Sequence, residues 1–122
     1  MEKIKILCVD DEEDLVSAWV ERLNMRGIDA EGITNGHDAI KRIKEKRFDV
    51  VVLDIKMPGI DGHEIMKHIK VERPELPVIL ITGHECPDEK NKDLRANSYD
   101  CLVKPVNIEI LIEKIKNAMN IQ

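Results

Sequence analysis

The chain has 122 residues, 43% of them hydrophobic and 35% charged, which fits one soluble globular domain with a single core. Its formal net charge of -5 argues against direct nucleic-acid binding, because contact with phosphates needs a basic face. No apolar run approaches transmembrane length, and a content of one Trp, one Tyr and one Phe argues against base stacking.

The cysteines and the amino terminus indicate where the chain works. Residues 1–5 lead straight into a strand-like run and resemble no signal peptide. The cysteines, Cys8, Cys86 and Cys101, are odd in number and form no C-x-x-C pair. We therefore expect a reduced cytoplasm, with Cys8 and Cys101 as small core residues.

The chain begins with a predicted strand at 4–9, which a run of acids follows at 10–14. Acidic residues favour a helix start, because negative charge suits the positive end of the helix dipole. The helix ends at Gly27. Its predicted buried face consists of Leu15, Ala18, Trp19 and Leu23.

The second strand is predicted at 28–33, where apolar and polar residues alternate as in an edge strand. A turn at 34–36 leads to a short helix with a basic tail, whose buried residues are Ala39, Ile40 and Ile43. The third strand, at 48–53, is a continuous apolar run that ends against Asp54. Such a run is typical of a strand covered on both faces.

Asp61 is predicted to cap the third helix, which buries Ile65, Met66 and Ile69. The fourth strand, at 78–81, is again continuously apolar and ends at Thr82. Residues 84–96 carry only a weak pattern, with Leu94 and Ala96 as the possible anchors, and predict a marginal, mobile helix.

The fifth strand is predicted at 99–103, and Asn107 caps a last helix that buries Ile108, Leu111, Ile115 and Ala118. Strands that alternate with helices predict an α/β fold, a doubly wound five-stranded parallel sheet with five helices. The first, third and fourth strands are continuously apolar and the other two alternate. This difference places strands two and five at the edges and predicts the order 2-1-3-4-5.

The carboxyl ends of parallel strands meet at one rim of the sheet, where ligands bind in open α/β folds. Five polar residues follow or end four of the strands there: Asp10, Asp11, Asp54, Thr82 and Lys104. Crowded carboxylates repel each other unless a positive charge lies among them. Mg²⁺ fits this set because it prefers oxygen ligands and often takes only one or two carboxylates together with a phosphate.

The motifs around these residues resemble the receiver domain of bacterial two-component response regulators, a flavodoxin-like fold. The matching pieces are V-D-D-E, V-V-L-D-I-K-M-P-G-I-D-G, I-L-I-T-G and Y-D-C-L-V-K-P, in that order along nearly the whole chain. The resemblance implies that residues 1–122 form one phosphoacceptor domain. It also implies a signalling switch that promotes only its own phosphorylation and dephosphorylation, rather than an enzyme with turnover.

The resemblance assigns a role to each residue at the rim. Asp54 matches the aspartate that accepts a phosphoryl group from a phosphohistidine of a sensor histidine kinase or a histidine phosphotransfer protein. Asp11, Asp54 and the backbone carbonyl of Lys56 match the protein ligands of Mg²⁺, and Asp10 matches an acid that acts through a metal-bound water. Thr82 and Lys104 match the hydroxyl and ammonium that contact phosphoryl oxygens.

The chain departs from the family pattern at Cys101, in the segment 89–93 and, mildly, at Asn97-Ser98, where Gly-Ala is common. Cys101 stands where the family usually has Tyr or Phe, so coupling through a moving ring is not expected; Tyr99 is one alternative route. The segment 89–93 is polar where the family often has apolar residues, which indicates a solvated helix or a specialised partner surface. Lys56 and His84 occupy positions that flank the attacking water, and we expect them to tune the lifetime of the phosphoryl group.

The resemblance does not indicate whether the domain controls an output domain of the same protein or a separate partner protein. A longer parent protein would place an output domain under control of the helix 4, strand 5 and helix 5 surface, with dimerisation on phosphorylation as one route. A stand-alone receiver would signal by protein contact or pass the phosphoryl group to a histidine phosphotransfer protein. Neither form needs a membrane partner.

Three other functions share parts of the pattern. A flavodoxin-like cofactor binder is disfavoured because the acids at 10–14 would repel a phosphate. A Mg²⁺-dependent phosphatase of the haloacid dehalogenase type typically needs a second Asp where this chain has Lys56. A degenerate receiver that only binds partners would lack one of the key residues.

Overall fold

The computed structural model describes residues 3–57, 59–87 and 92–120, and these ranges contain five strands and five helices in alternation. The strands are β1 (Lys5–Val9), β2 (Asp29–Ile33), β3 (Val50–Asp54), β4 (Val78–Thr82) and β5 (Asp100–Val103). The helices are α1 (Glu13–Met25), α2 (Gly36–Glu45), α3 (Gly62–Glu72), α4 (Lys92–Asn97) and α5 (Ile108–Ala118). Within these ranges, no helix is long and apolar enough to cross a membrane.

The strands form one parallel sheet in the order β2-β1-β3-β4-β5, which confirms the predicted fold and strand order. Every residue of β3 and β4 is buried, whereas β2 and β5 lie at the edges and are partly exposed. Strands that are covered on both faces need apolar residues at every position. The contrast between continuous and alternating runs therefore located the edges correctly.

The sheet separates two apolar clusters, one on each face. The first cluster joins Leu7, Val51 and Leu80 to α2, α3 and Leu94 of α4. The second joins the alternate strand residues to α1 and α5, and its largest members include Ile6, Trp19, Leu23, Ile79, Leu111 and Ile115. Successive side chains of a strand point to opposite faces, so each central strand contributes to both clusters.

Capping residues set where the helices begin. The side chains of Asp61 and Asn107 accept hydrogen bonds from the first turns of α3 and α5, as predicted, and Asn35 does the same for α2. Each cap satisfies an amide that the helix itself leaves without a partner. Gly27 follows α1 with a φ of 79°, a conformation that glycine adopts without steric cost.

The region between β4 and β5 corrects one prediction. Cys101 forms a disulfide with Cys86, so the expectation that it is a reduced core cysteine was wrong. The loop after β4 passes the neighbouring edge strand, which brings the two Cα atoms to 5.9 Å, a separation that a disulfide spans. Cys8 is the free, buried cysteine that the sequence indicated.

Helix α4 is short and weakly anchored over the residues that are described. Leu94 is buried as expected, but Ala96 is exposed. Residues 88–91, which include most of the polar segment 89–93, lie outside the described backbone. The mobility of this helix stays a prediction.

Gly62, the first residue of α3, lies where α3 packs closely against the backbone that follows Asp54. A Cβ atom at Gly62 would lie 2.7 Å from the backbone oxygen of Ile55, the residue after Asp54. Alanine normally stabilises a helix by about 1 kcal/mol relative to glycine. We nevertheless expect Gly62→Ala to lower the free energy of unfolding by about 1–3 kcal/mol, because a backbone atom cannot move away cheaply.

Urea unfolding of Gly62→Ala and Gly83→Ala measures this effect. An added Cβ at Gly83 would meet nothing within 4 Å, so we expect this control to change the free energy of unfolding by less than about 0.5 kcal/mol. A Gly62→Ala protein that is as stable as the wild type would contradict the close packing.

Candidate functional site

The parallel strands bring four side chains together at one end of the sheet. Asp10 follows β1, Asp54 ends β3, Thr82 ends β4 and Lys104 follows β5. Asp10, Asp54 and Thr82 are the buried polar residues among those described, at 0%, 4% and 2% exposure. Polar groups are rarely buried unless they are paired, so this set marks the candidate site.

Lys104 lies between the carboxylates. Its Nζ atom is 2.8 Å from Oδ2 of Asp10, 3.6 Å from Oδ2 of Asp54 and 3.4 Å from Oε1 of Glu12. Burial opposes the charged form of Lys104, but the contact with Asp10 and the charges of Asp54 and Glu12 outweigh it and raise the pKa of the ammonium. Lys104 therefore stays protonated and positively charged between the carboxylates of the site.

Asp54 is held from two sides. Its Oδ1 atom accepts a hydrogen bond of 3.2 Å from the backbone amide of Lys56, and its Oδ2 atom faces Lys104. Burial, together with the charge of Asp10, raises the pKa of Asp54 to about 6, although Lys56 and Lys104 act in the opposite direction. The carboxylate is thus more basic than that of an ordinary aspartate and still mostly ionised near neutral pH.

The three aspartates can hold a metal ion together. Asp10, Asp11 and Asp54 each offer a carboxylate oxygen, and these atoms all lie within 4.8 Å of one another. Asp11 is exposed, so the group is open to solvent on one side. Oxygen ligands with room for water fit Mg²⁺.

An oxygen of Asp10 supports the same conclusion. Its Oδ1 atom accepts a hydrogen bond of 2.9 Å from the amide of Glu12. Its buried Oδ2 atom lies 2.8 Å from the Lys104 ammonium but makes no well-oriented hydrogen bond with the described residues. A carboxylate oxygen has two lone pairs, so this oxygen can accept a further ligand beside the ammonium.

Thr82 joins the site to the loop after β4. Its hydroxyl oxygen accepts a hydrogen bond of 3.2 Å from the amide of His84, and its backbone oxygen accepts one of 2.7 Å from the amide of Lys104. An open cleft of about 720 Å³ lies beside it, and Lys56, His84 and Cys86 are among the residues that line it. Both residues that were predicted to flank the attacking water therefore face the same cleft.

The structure adds one residue to the predicted set and shows a cysteine pair beside the site. Glu12, which the sequence indicated only as part of a helix start, contacts Lys104 as well. Cys86 lines the cleft and is bonded to Cys101. The acidic run at 10–14 was a signal for Glu12, whereas nothing in the sequence pointed to Cys86.

Comparison with known proteins identifies the family. The family described as "Response regulator receiver domain" matches residues 6–116. The chain belongs to this family. Among solved structures, a CheY-like receiver domain protein from Methanospirillum hungatei superposes with a TM-score of 0.88 at 28% identity, and the match covers 98% of this chain and 95% of that one. The chemotaxis response regulator CheY4 of Vibrio cholerae superposes with a TM-score of 0.86 at 28% identity, covering 96% and 99%.

The curated relatives of this receiver domain are longer proteins. The transcriptional regulatory protein ZraR of Salmonella typhimurium is 32% identical over 117 residues, which cover 96% of this chain and 26% of ZraR. The sensor protein EvgS of Escherichia coli is 28% identical, with coverage of 90% and 9%. The chain thus spans about a quarter of the length of ZraR.

The raised pKa of Asp54 predicts a pH-dependent loss of stability in metal-free buffer. The folded domain keeps the Asp54 proton up to a pH of about 6, whereas the unfolded chain releases it near the ordinary value of 3.8. The folded state therefore binds more protons in this window, and stability falls as pH rises through it. We expect Asp54→Asn to be more stable than the wild type above about pH 7, on the order of 2 kcal/mol, and equal to it below about pH 4.

Urea unfolding across this range, in the presence of a chelator, measures the difference. Glu113→Gln on α5 removes an exposed carboxylate outside the site and serves as the control, for which we expect no such pH dependence. A constant stability difference between Asp54→Asn and the wild type at every pH would contradict the predicted shift.

Proposed function

We propose that this receiver domain is a signalling switch in which Asp54 accepts a phosphoryl group. The observation that carries the proposal is the position of Asp54, a nearly buried carboxylate in contact with the Lys104 ammonium and grouped with two further aspartates. A carboxylate can act as a nucleophile when it is ionised and held in place. With a pKa of about 6, Asp54 is mostly ionised near neutral pH, as a nucleophile has to be.

The chemistry requires an oxygen of Asp54 to attack phosphorus while the bond to the donor breaks. The product is an acyl phosphate on Asp54. Transfer of this kind depends mainly on positioning and on neutralising the charge of the equatorial oxygens. Lys104 is within 3.6 Å of Asp54 and carries the charge that one of these oxygens needs, and Thr82 offers a hydroxyl from the neighbouring strand.

Asp10, Asp11, Asp54 and the backbone carbonyl of Lys56 are the proposed protein contacts for Mg²⁺, with Asp10 acting through a bound water. When bound, Mg²⁺ supplies positive charge that neutralises the carboxylates and the incoming phosphoryl oxygens. The grouping of the three carboxylates supports this assignment. The open side at Asp11 leaves space for water and for the phosphoryl group.

The proposed donor is a phosphohistidine of a sensor histidine kinase or a histidine phosphotransfer protein. The proposed output is a change in the surface formed by α4, β5 and α5. Tyr99, Val103 and Ile110 are exposed by 48%, 47% and 46% in this part of the molecule. These exposed apolar side chains are available for contact with a partner protein or an output domain.

A second function is favoured by one of the relatives. EvgS is named a sensor protein, and the matched region is a small part of it. A receiver within such a protein can pass its phosphoryl group onward, so a phosphorelay intermediate is the alternative to direct control of an output domain. Transfer of label from this domain to a histidine phosphotransfer protein would distinguish the two. A phosphatase is disfavoured, because Lys56 stands where such enzymes need a second aspartate.

Labelling with a small acyl phosphate tests the phosphoacceptor role. We expect acetyl phosphate with Mg²⁺ to add one phosphoryl group to the wild type, seen as a mass increase, and Asp54→Asn to remain unmodified. Asp29→Asn is the matched control, because Asp29 begins β2 at the opposite end of the sheet from Asp54. It should be labelled like the wild type.

Two results of this experiment would contradict the proposal. The first is label that persists in Asp54→Asn. The second is continuous release of inorganic phosphate far beyond the rate at which phosphorylated protein decays, since that would indicate a phosphatase.

Metal binding is tested separately by thermal unfolding at a pH near neutrality. A ligand that binds only the folded state raises its stability according to the ratio of ligand concentration to dissociation constant. We expect Mg²⁺ in excess to raise the midpoint of the wild type, and Asp11→Asn to lose most of this increase because it removes a ligand and a charge. A similar increase of the midpoint in both proteins would show that Asp11 is not a ligand of Mg²⁺.

A further inference from the structure

The disulfide joins two segments that both carry residues of the site. Cys86 lies four residues after Thr82 in the loop that follows β4. Cys101 lies on β5, three residues before Lys104. The bond therefore fixes the loop that contains His84 against the strand that leads to the central ammonium.

The described residues between the two cysteines bury little apolar surface. The sequence separation is 15 residues, and α4 lies inside this segment. Leu94 is the one buried side chain among those described between the cysteines. Segments with little buried apolar surface open at low free-energy cost. Making or breaking the disulfide thus has a large effect on how freely this segment moves.

The domain does not need the disulfide to form a core. Its two apolar clusters cover both faces of the sheet. Disulfides are typical of small domains that cannot build a sufficient core, which is not the case here. A bond placed beside the site, in a domain with a complete core, indicates a role other than global stability.

We propose that Cys86 and Cys101 form a reversible redox site, closed by exchange with a low-molecular-weight disulfide, whose oxidation state sets the rate at which Asp54 is phosphorylated. The second half of this inference rests on the proposed phosphoacceptor function. In the reduced form residues 83–87 can move relative to β5, and in the oxidised form the disulfide holds them to it.

The thiol–disulfide exchange takes place in two steps. The Cys86 thiolate attacks one sulfur of the small disulfide, forms a mixed disulfide and releases one small thiolate, which takes up a proton. The Cys101 thiolate then attacks the sulfur of Cys86 and releases the second small thiolate. The two protein thiols are oxidised, and the one small disulfide is reduced to two thiols.

Access favours Cys86 as the first to react. It lines the open cleft of about 720 Å³ that also contains Thr82. The thiolate is the reactive form, so a cysteine at a solvent-filled cleft is open to exchange. Cys8 differs, because complete burial raises the pKa of its thiol to about 12 and closes it to reagents.

The hydrogen bonds of Thr82 connect the loop to the phosphoryl site. Its hydroxyl oxygen accepts from the amide of His84, two residues before Cys86. A change in the position of this hydroxyl therefore requires the loop to move with it. Because the disulfide restrains that movement, we expect the oxidised protein to be phosphorylated more slowly.

The experiment compares the two redox states of the same protein. The protein is equilibrated with reduced or oxidised glutathione, the free thiols are alkylated in denaturant, and mass spectrometry gives the state of each cysteine. Parallel samples, freed of glutathione, are labelled with acetyl phosphate and Mg²⁺. We expect the oxidised wild type to be labelled at least about fivefold more slowly than the reduced one, which corresponds to about 1 kcal/mol in the activation free energy.

Single variants show whether the Cys86–Cys101 pair causes the difference in labelling rate. Cys86→Ser and Cys101→Ser should be labelled at the rate of the reduced wild type after either treatment. Cys8→Ala, which keeps the pair, should respond to oxidation like the wild type. A response that persists in Cys86→Ser, or that is lost in Cys8→Ala, would overturn the proposal.

The outcomes separate the two proposals. Equal labelling rates for oxidised and reduced wild type would overturn the redox inference and leave the phosphoacceptor function intact. A pair that stays reduced in oxidised glutathione, or stays oxidised in reduced glutathione, would also overturn it. No labelling in either redox state would overturn the phosphoacceptor function, and with it the proposed coupling.

Discussion

The contact of Lys104 with Asp10 and Asp54 is the interaction on which the site depends. Two carboxylates that are almost fully buried lie close to each other, and the charge of Asp10 contributes to the raised pKa of Asp54. Leaving a buried charge without its partner costs several kcal/mol. The ammonium, at 2.8 and 3.6 Å, is what allows both acids to be present in one domain. It does not fully offset their burial, since the pKa of Asp54 is still raised.

The incomplete neutralisation of the two carboxylates suits a site that responds to a ligand. A site that was already neutral and fully hydrogen-bonded would gain little from a cation or a phosphoryl group. Here one oxygen of Asp10 lacks a well-oriented hydrogen bond, and Asp54 is held above its ordinary pKa. Burying these acids is unfavourable, and a bound ligand of complementary charge offsets this unfavourable free energy. The parallel sheet makes this possible, because it delivers each group from the end of a separate, rigid strand.

The sequence predicted the parts of this arrangement that follow from periodicity and from local chemistry. Continuous apolar runs located β3 and β4 at the centre, and Asp61 and Asn107 were recognisable as helix caps. Asp10, Asp54 and Lys104 could be grouped because parallel strands end at one rim. The contact of Glu12 with Lys104 depends on the path of a side chain, which no local pattern encodes.

The disulfide was missed for a related reason. Cys86 and Cys101 are separated by 15 residues, and neither lies in a motif that indicates pairing. Their contact results from the return of the chain along β5 after an irregular loop, which is a tertiary effect. The composition of the chain indicated a reduced protein, and an odd number of cysteines strengthened that interpretation. Only the positions of the Cα atoms, 5.9 Å apart, revealed the pair.

Coupling between the cysteine pair and Asp54 has a thermodynamic consequence in both directions. If the oxidised loop lowers the equilibrium stability of the phosphorylated state as well as the rate of its formation, phosphorylation must disfavour the disulfide by the same equilibrium factor. The loop after β4 is the shared element, because it carries Cys86 and also the amide that holds the Thr82 hydroxyl. A phosphorylated domain would then be easier to reduce than an unphosphorylated one. One loop would thereby combine two inputs, a phosphoryl donor and the thiol redox state, in a single surface of α4, β5 and α5.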